Sequence, residues 1–454
     1  MNLHRLLGKR LEEGRPVQVG LIGAGKFGSM FLSQVPSTPG IEVAAIADLA
    51  PDRARAACRR VGWTEERIAV TRFTDNAAAM MAMPEIEVVV EATGHAPAGI
   101  AHARRAIAEG KHIVMVNVEA DVLAGCALAR EAAQAGVVYS LAYGDQPALI
   151  CELVDWARAC GFRVIAAGKG TKYLPEYHAS TPASVWGYYG LTEEAARVGG
   201  MNPQMFNSFL DGTKSGIEMA AVANATGLTP PPDGLGFPPC GTHEMAEMLR
   251  PGNLGVLHHA GQVEVISSLH RDGAQVANDL RWGVYVVFEA PNEYTARCFK
   301  EYGVVTDASG LVSALYRPFH LIGLELNISI LSAALRGEAT GAPTGFRGDV
   351  VATAKRNLRA GEMLDGEGGG CVWGKLLPAH TSLEIGGLPI GLANRVKLLH
   401  DVRAGQCVTW TDVRIDETDE AYRYRRRMEA LYTSPAARER VCPGRDPAAA
   451  QSAA

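Results

Sequence analysis

The sequence predicts an α/β protein whose first third is a doubly wound parallel sheet, and three observations carry that prediction. Short apolar runs recur at 17–23, 41–48, 87–94, 112–119 and 137–144; Ala-rich stretches of helical spacing separate them; and the first run enters a glycine turn, GAGKFG. Strands that alternate with helices of this length run parallel, because each crossover helix returns the chain to the same end of the sheet.

The first run, VQVGLIG, leads through Gly23, Ala24, Gly25, Lys26, Phe27 and Gly28 into a helical pattern that reaches about Val35. Gly23 permits the tight turn, Gly25 lets backbone approach a pyrophosphate, and Gly28 lets helix pack on strand. The helix start then offers free N–H donors to the phosphates. The second run, IEVAAIAD, ends on Asp48, about 20 residues past Gly28, where a carboxylate accepts from both ribose hydroxyls. Together these are a Rossmann-type dinucleotide site. Asp48 repels a 2′-phosphate and so favours NADH; Lys26, Arg53 and Arg55 lie close enough in sequence to neutralise one, so NADPH stays open. The turns after the later strands face the nicotinamide in this fold, which selects Thr93, Gly94, His95, Asn117 and Glu119. His95 is a candidate substrate contact, set against the plainer reading of a solvated loop histidine.

The segment 151–340 reads as a substrate domain. A helix in ALICELVDWARACG precedes the strand FRVIAAGKGTKY, which places Lys169 and Lys172 at or just past a strand end, where they suit a phosphate or carboxylate as well as they suit open solvent. LDGTKSGIEMAA, 210–221, reads as a helix that opens after Gly212 or Thr213. At roughly 100° per residue Asp211, Lys214 and Glu218 fall within about 60° of one another, a single polar stripe among small residues. An ammonium in a first turn meets the positive end of the helix dipole, which lowers its pKa. Lys214 is therefore the candidate proton donor to a carbonyl oxygen, with Asp211 and Glu218 holding its charge state or a divalent cation. The bland reading is a surface lysine paired with Glu218. The Pro/Gly-rich stretch 229–244 has the length of a lid, and its His243 and Glu244, with Glu247 one turn on, are a weak metal signal. His258 and His259 are adjacent and expected to point apart. The strands QVEVISSLH and GVYVVFEA suggest an open sheet under the cleft, and a helix within PFHLIGLELNISILSAALRG closes the domain.

The last quarter changes character. AKRNLRAGEMLDG and LLHDVRAGQCVTWTDV echo each other, each an apolar lead, then R-A-G, then a strand, which makes 341–420 a small β-rich module. Residues 421–454 read as a charged helix with a solvated arginine face and a disordered end.

Composition excludes whole classes of function. With 44 Lys+Arg against 49 Asp+Glu, net −5, there is no basic face for nucleic acid. Apolar runs are broken too often to span a membrane, and the interleaved charges of MNLHRLLGKRLEEGRPVQV are not those of a secretory signal. Nine scattered cysteines without a CxxC pair fit reduced thiols in a cytoplasmic protein and imply no zinc site.

On these residues the chain resembles the homoserine dehydrogenase-like oxidoreductases, through GAGKFG, EATG, NVEAD and GDQPALICELVDWARACGFRVIAAGKG. The RAG repeats resemble the SAF domain, a β-clip module. LDGTKSGIEMA and YRPFHLIGLEL are most similar to the 1-deoxy-D-xylulose 5-phosphate reductoisomerase-like (DXR-like) family. That resemblance implies NADPH- or NADH-dependent formation of 2-C-methyl-D-erythritol 4-phosphate for isoprenoid biosynthesis, a phosphorylated substrate held by Lys169 and Lys172, a Mg or Mn ion with ligands unknown, and a homodimer. Homoserine dehydrogenases carry Asn-Lys where this chain has Asn117-Val118, and D-x-x-x-K where it has D-x-x-K, which argues against homoserine as substrate. Three other readings stand beside the leading one: a homoserine dehydrogenase-like enzyme, which reduction of aspartate semialdehyde would discriminate, dehydrogenation of another hydroxy acid or sugar acid, and a non-catalytic dinucleotide sensor or sugar-acid-binding protein working through the SAF module.

Overall fold

The computed structural model describes residues 2–433. Its first sheet has six parallel strands, β1 (Val17–Ile22), β2 (Ile41–Ala47), β3 (Arg72–Thr74), β4 (Val88–Glu91), β5 (His112–Met115) and β6 (Tyr139–Leu141), in the order β3-β2-β1-β4-β5-β6. The order reverses between β1 and β4, which opens a crevice at their carboxyl ends. The three residues of β3 are too few to show periodicity, and the sequence reading passed over them. Strand β5 stops before the expected 119. Asn117 leaves the sheet and caps the Val118–Gln134 helix, its Oδ1 accepting from Ala120 N at 3.1 Å. Glu119 therefore rides on a first helical turn, where a carboxylate complements the helix dipole.

The second sheet, β10-β9-β7-β8, comprises β7 (Arg163–Thr171), β8 (Gln262–Ser267), β9 (Val284–Glu289) and β10 (Val312–Arg317). It is not open. Helices Gln146–Ala159 and Thr213–Thr226 pack on it, and Cys240, Met245, Leu249 and Leu257 join a separate core with Ile165, Ile266 and Tyr285 of its strands. Both sides of the strands being covered, β8 and all but the last residue of β9 are buried. The 229–244 stretch is held down as well: Glu264 accepts from Gly236 N at 3.0 Å and from Phe237 N at 3.3 Å.

The C-terminal module holds β11 (Gly348–Ala354) paired with β13 (Val372–Pro378), and the sheet β12 (Met363–Asp365), β14 (Asn394–Leu398) and β15 (Val413–Arg414). The two RAG segments pair with each other. Leu358 and Val402 exchange backbone hydrogen bonds of 2.8 and 3.0 Å, Asn357 Oδ1 accepts from Ala404 N, and Asp401 Oδ1 from Ala360 N. Equal sequences make equal turns, and each turn is closed by the other's Asn or Asp.

Helix Glu420–Thr433 departs from expectation. Its arginines are not all solvated: Arg425 is wholly buried, pairing with Asp349 at 2.6 Å and Glu429 at 2.8 Å, while Ser382 Oγ donates to the same Asp349 oxygen. A buried guanidinium needs such partners, because unpaired burial of a charge is prohibitive. The pairing draws the helix against Ala96–Ala108 and Val118–Gln134 of the first sheet's flank. The expected disordered end lies outside the described residues.

Candidate functional site

The glycine turn has the shape its motif requires. Gly23 has φ of 92°, and a Cβ on Gly28 would stand 2.3 Å from Gly23 O, so helix Lys26–Gln34 meets the strand only through a bare Cα. At Gly25, the helix cap, a Cβ would meet nothing within 4 Å, which leaves room for a ligand against the free N–H groups of Lys26 and Phe27. Asp48 stands beside the turn, accepting from Ala24 N at 3.0 Å and Ala50 N at 2.9 Å, with Arg53 at 3.3 Å. These residues fit a nicotinamide dinucleotide. Replacing Gly28 by Ala is expected to weaken NADPH binding by two orders of magnitude or about 3 kcal/mol, read by quenching of intrinsic fluorescence, because backbone and not a flexible side chain blocks the Cβ.

The polar stripe expected at 211–218 is not one constellation. Gly212 has φ of 91° and breaks the periodicity, so Asp211 belongs to the end of helix Pro203–Leu210 and points elsewhere. Its carboxylate binds Lys355 Nζ at 2.7 Å and accepts from Thr213 N. Glu218 pairs with Lys169 inside the core. Lys214 reaches across to the first domain and meets Glu119 at 2.5 Å, both side chains 15% exposed. Burial alone would depress the Lys214 pKa, but Glu119, Glu218, Asp145 and Glu367 outweigh it and raise the pKa above the ordinary lysine value. The lowering expected from the helix dipole is thus reversed: four carboxylates exceed a half-charge dipole.

Two of those carboxylates are strongly perturbed. Asp145, buried at the start of helix Gln146–Ala159, is pushed up to about 6 by desolvation and then by Glu218. Glu367 is pushed up to about 8 by desolvation and then by Glu119. Its ordinary value is 4.5. The folded chain thus binds a proton the unfolded chain releases, a stabilisation fully present below about 4.5 and lost as pH rises through about 8. Glu367→Gln should flatten that part of the profile of Tm against pH; an unchanged slope would refute the assignment.

Glu119 and Glu367 line a cavity of about 960 Å³. Its walls come from three parts of the chain: Gly94 and His95 after β4, Glu119, and Gln204 with Glu367, Asn394, Arg395, Arg414 and Tyr422. The C-terminal module is fastened here, since Gln204 Nε2 donates to Asp365 O and Glu367 O at 2.9 and 2.8 Å, and Asn207 Nδ2 to Gly368 O at 2.9 Å. His95 faces the cavity and caps helix Ala96–Ala108 through Nδ1. Thr93 Oγ1 donates to the buried Glu91 at 2.5 Å, and Asn117 Nδ2 lies 3.4 Å from that hydroxyl.

Lys169 and Lys172 are placed elsewhere. Lys169 lies within β7 and is bound to Glu218; Lys172 Nζ donates to Tyr188 O at 2.7 Å, between the rings of Tyr177 and Tyr189. Neither lines the cavity, so neither ammonium is free for a substrate phosphate there. Nor do the acids fit a divalent ion: Asp211 and Glu218 are each taken by a lysine, and no group of three His, Cys, Asp or Glu side chains suited to a metal occurs among the described residues. Glu244 caps Gly241 N, and Glu247 pairs with Arg250. His258 and His259, expected to point apart, instead bring their Nδ1 atoms to 3.2 Å.

Sequence reasoning missed Glu367, Lys355 and Arg395, all from the C-terminal module, and the neutral His178. His178 is pushed down to about 4 by burial, lies 2.7 Å from Asp211 O and stacks on Trp373 at 3.9 Å. A carboxylate inside the glycine run DGEGGG was the one local signal available.

Residues 23–141 match the family model described as homoserine dehydrogenase, NAD binding domain, and residues 144–326 match oxidoreductase DRL, catalytic domain. Among curated proteins none matches the chain significantly. Solved structures with a similar part include myo-inositol dehydrogenase from Lactobacillus casei, in complex with NAD(H) and myo-inositol, at 17% identity and TM-score 0.28, covering 38% of this chain and 50% of that one. Levoglucosan dehydrogenase, in complex with NADH and L-sorbose, matches at 24% identity and TM-score 0.27, covering 37% and 45%. Biliverdin reductase from Synechocystis sp. PCC 6803, in complex with biliverdin and NADP+, matches at 18% identity and TM-score 0.26, covering 35% and 48%. The chain thus spans about half the length of these structures. The two matched domains, which meet at the end of the first sheet, are those of an NAD(P)-dependent oxidoreductase. No helix among the described residues is long and apolar enough to cross a membrane.

Proposed function

We propose that the chain is an NAD(P)H-dependent reductase of a phosphorylated keto-sugar, and that its reaction is the reductive isomerisation of 1-deoxy-D-xylulose 5-phosphate to 2-C-methyl-D-erythritol 4-phosphate. The observation that carries the reading is the ion pair between Glu119, which lines the cavity, and Lys214, which lies in the segment matching the DRL catalytic domain. When bound, the cofactor supplies the hydride. The residues supply the rest. Lys214 stays protonated at neutral pH and donates a hydrogen bond to the carbonyl oxygen. An alkoxide is far more basic than an amine, so Lys214 passes its Nζ proton to that oxygen as negative charge develops, despite its raised pKa. Glu119 holds the ammonium in place and stabilises it until the proton leaves. His95, on the cavity wall, positions the substrate.

The test is to follow NADPH and NADH oxidation by the purified chain with 1-deoxy-D-xylulose 5-phosphate, with and without manganese or magnesium, and to identify the product by mass and NMR. Cofactor binding without that product would refute the reaction. The match of residues 23–141 favours a second reading, reduction of aspartate semialdehyde, which the same assay tests with that substrate. Turnover of either counts against a purely sensory role.

A further inference from the structure

Strand β14 is irregular where it borders the cavity. Met363 of β12 opposes Lys397 and Asp365 opposes Asn394, so Arg395 and Val396 lie against the single residue Leu364. Arg395 is the first residue of this bulge and has φ of 58°, in the left-handed region that glycine usually fills at such positions. A bulge takes a side chain off the regular alternation and re-aims it. Here Val396 stays buried while Arg395 is exposed on the cavity wall. Arg414, on the neighbouring β15, lines the same wall.

Among the described residues neither guanidinium makes an ion pair or a side-chain hydrogen bond. The acids nearby are otherwise engaged: Asp416 accepts from Thr418 N and Oγ1, and Asp419 from Tyr422 N. Two unpaired, strongly basic forks therefore face a cavity that also holds Glu119 and Glu367. The cofactor's own phosphates are not the occupant, since none of the residues Gly23 to Gly28, nor Asp48, lines this cavity.

We propose that Arg395 and Arg414 form the subsite for the substrate's anionic group, in the place expected of Lys169 and Lys172. Two monovalent cations match a dianion, and guanidinium forks match its oxygens, so a phosphoryl group is the ligand class. The assignment rests on the reading of this cavity as the substrate site, and not on which keto-sugar enters it.

The test is calorimetric titration of inorganic phosphate, and separately of malonate, into the full chain saturated with NADPH. Arg395→Gly removes the side chain and leaves a residue at ease with positive φ, so the fold is kept; Arg414→Gln is the second variant. Phosphate binding should weaken at least about tenfold in each, with the Kd for NADPH changed less than about twofold. Unchanged phosphate affinity in both variants overturns the subsite. So does parallel loss of NADPH affinity, or binding of malonate without phosphate. Phosphate binding lost in both variants of a protein that does not turn over 1-deoxy-D-xylulose 5-phosphate supports the subsite and refutes only the proposed reaction.

Discussion

Lys214→Met is expected to lower kcat by about 10² to 10⁴, the range lost when a positioned proton donor is removed, while NADPH affinity is retained. Two features set the size of the effect. Lys214 is paired at 2.5 Å with Glu119, a residue of the cavity wall, whereas Lys169 and Lys355 are bound to Glu218 and Asp211. Removing Lys214 also leaves Glu119 unpaired, so a Lys214→Met, Glu119→Gln double variant separates lost chemistry from lost stability: its Tm should recover while its kcat stays low. Lys214→Arg keeps the charge and the ion pair but is far less able to release a proton, and should remain slow with near-normal KM. Full turnover in Lys214→Met would remove Lys214 from the mechanism.

The largest effect on stability is expected at Arg425. Its guanidinium is completely buried, joins Asp349 and Glu429, and donates to Leu123 O at 3.3 Å. Arg425→Met strands two buried carboxylates, which should destabilise the chain by about 3–5 kcal/mol in urea unfolding, the range for breaking a buried pair from one side. Removing the partners together, as Arg425→Met with Asp349→Leu and Glu429→Leu, should return much of that loss. A change below about 1 kcal/mol for the single variant would show that the pair is not desolvated as the structure has it. Because the Glu420–Thr433 helix packs on the first domain and Tyr422 lines the cavity, the single variant should also weaken phosphate binding.

The glycine turn after β1 was legible because its physics is local. Gly23, Gly25 and Gly28 are required by backbone geometry within one turn, and Asp48 follows at the spacing of one βαβ unit. The parallel sheet was legible from its alternation, apart from β3, whose three residues carry no period. The helix opening after Gly212 or Thr213 was legible, and Lys214 was singled out by its place in the first turn.

Partners were another matter. One-dimensional spacing put Asp211, Lys214 and Glu218 on one stripe, yet each carboxylate or ammonium found its counter-ion on a different segment: Lys355, Glu119 and Lys169. Helical periodicity ranks neighbours within an element, whereas a buried charge takes whichever opposite charge the packing brings within reach. That choice also reversed the sign of the Lys214 pKa shift. Arg425, read as solvated from an arginine-rich run, is buried for the same reason: Asp349, remote in sequence, awaits it.

The sequence by itself therefore determined the sheet, the dinucleotide turn and the identity of Lys214 as a candidate, since each follows from contacts within a few tens of residues. Only the tertiary structure decided that the C-terminal module walls the cavity, that Glu119 rather than Glu218 holds Lys214, and that Arg395 and not Lys169 faces the space beside it. Those are matters of which surfaces meet. Ion pairs and cavity walls are set by long-range packing, on which no local propensity reports.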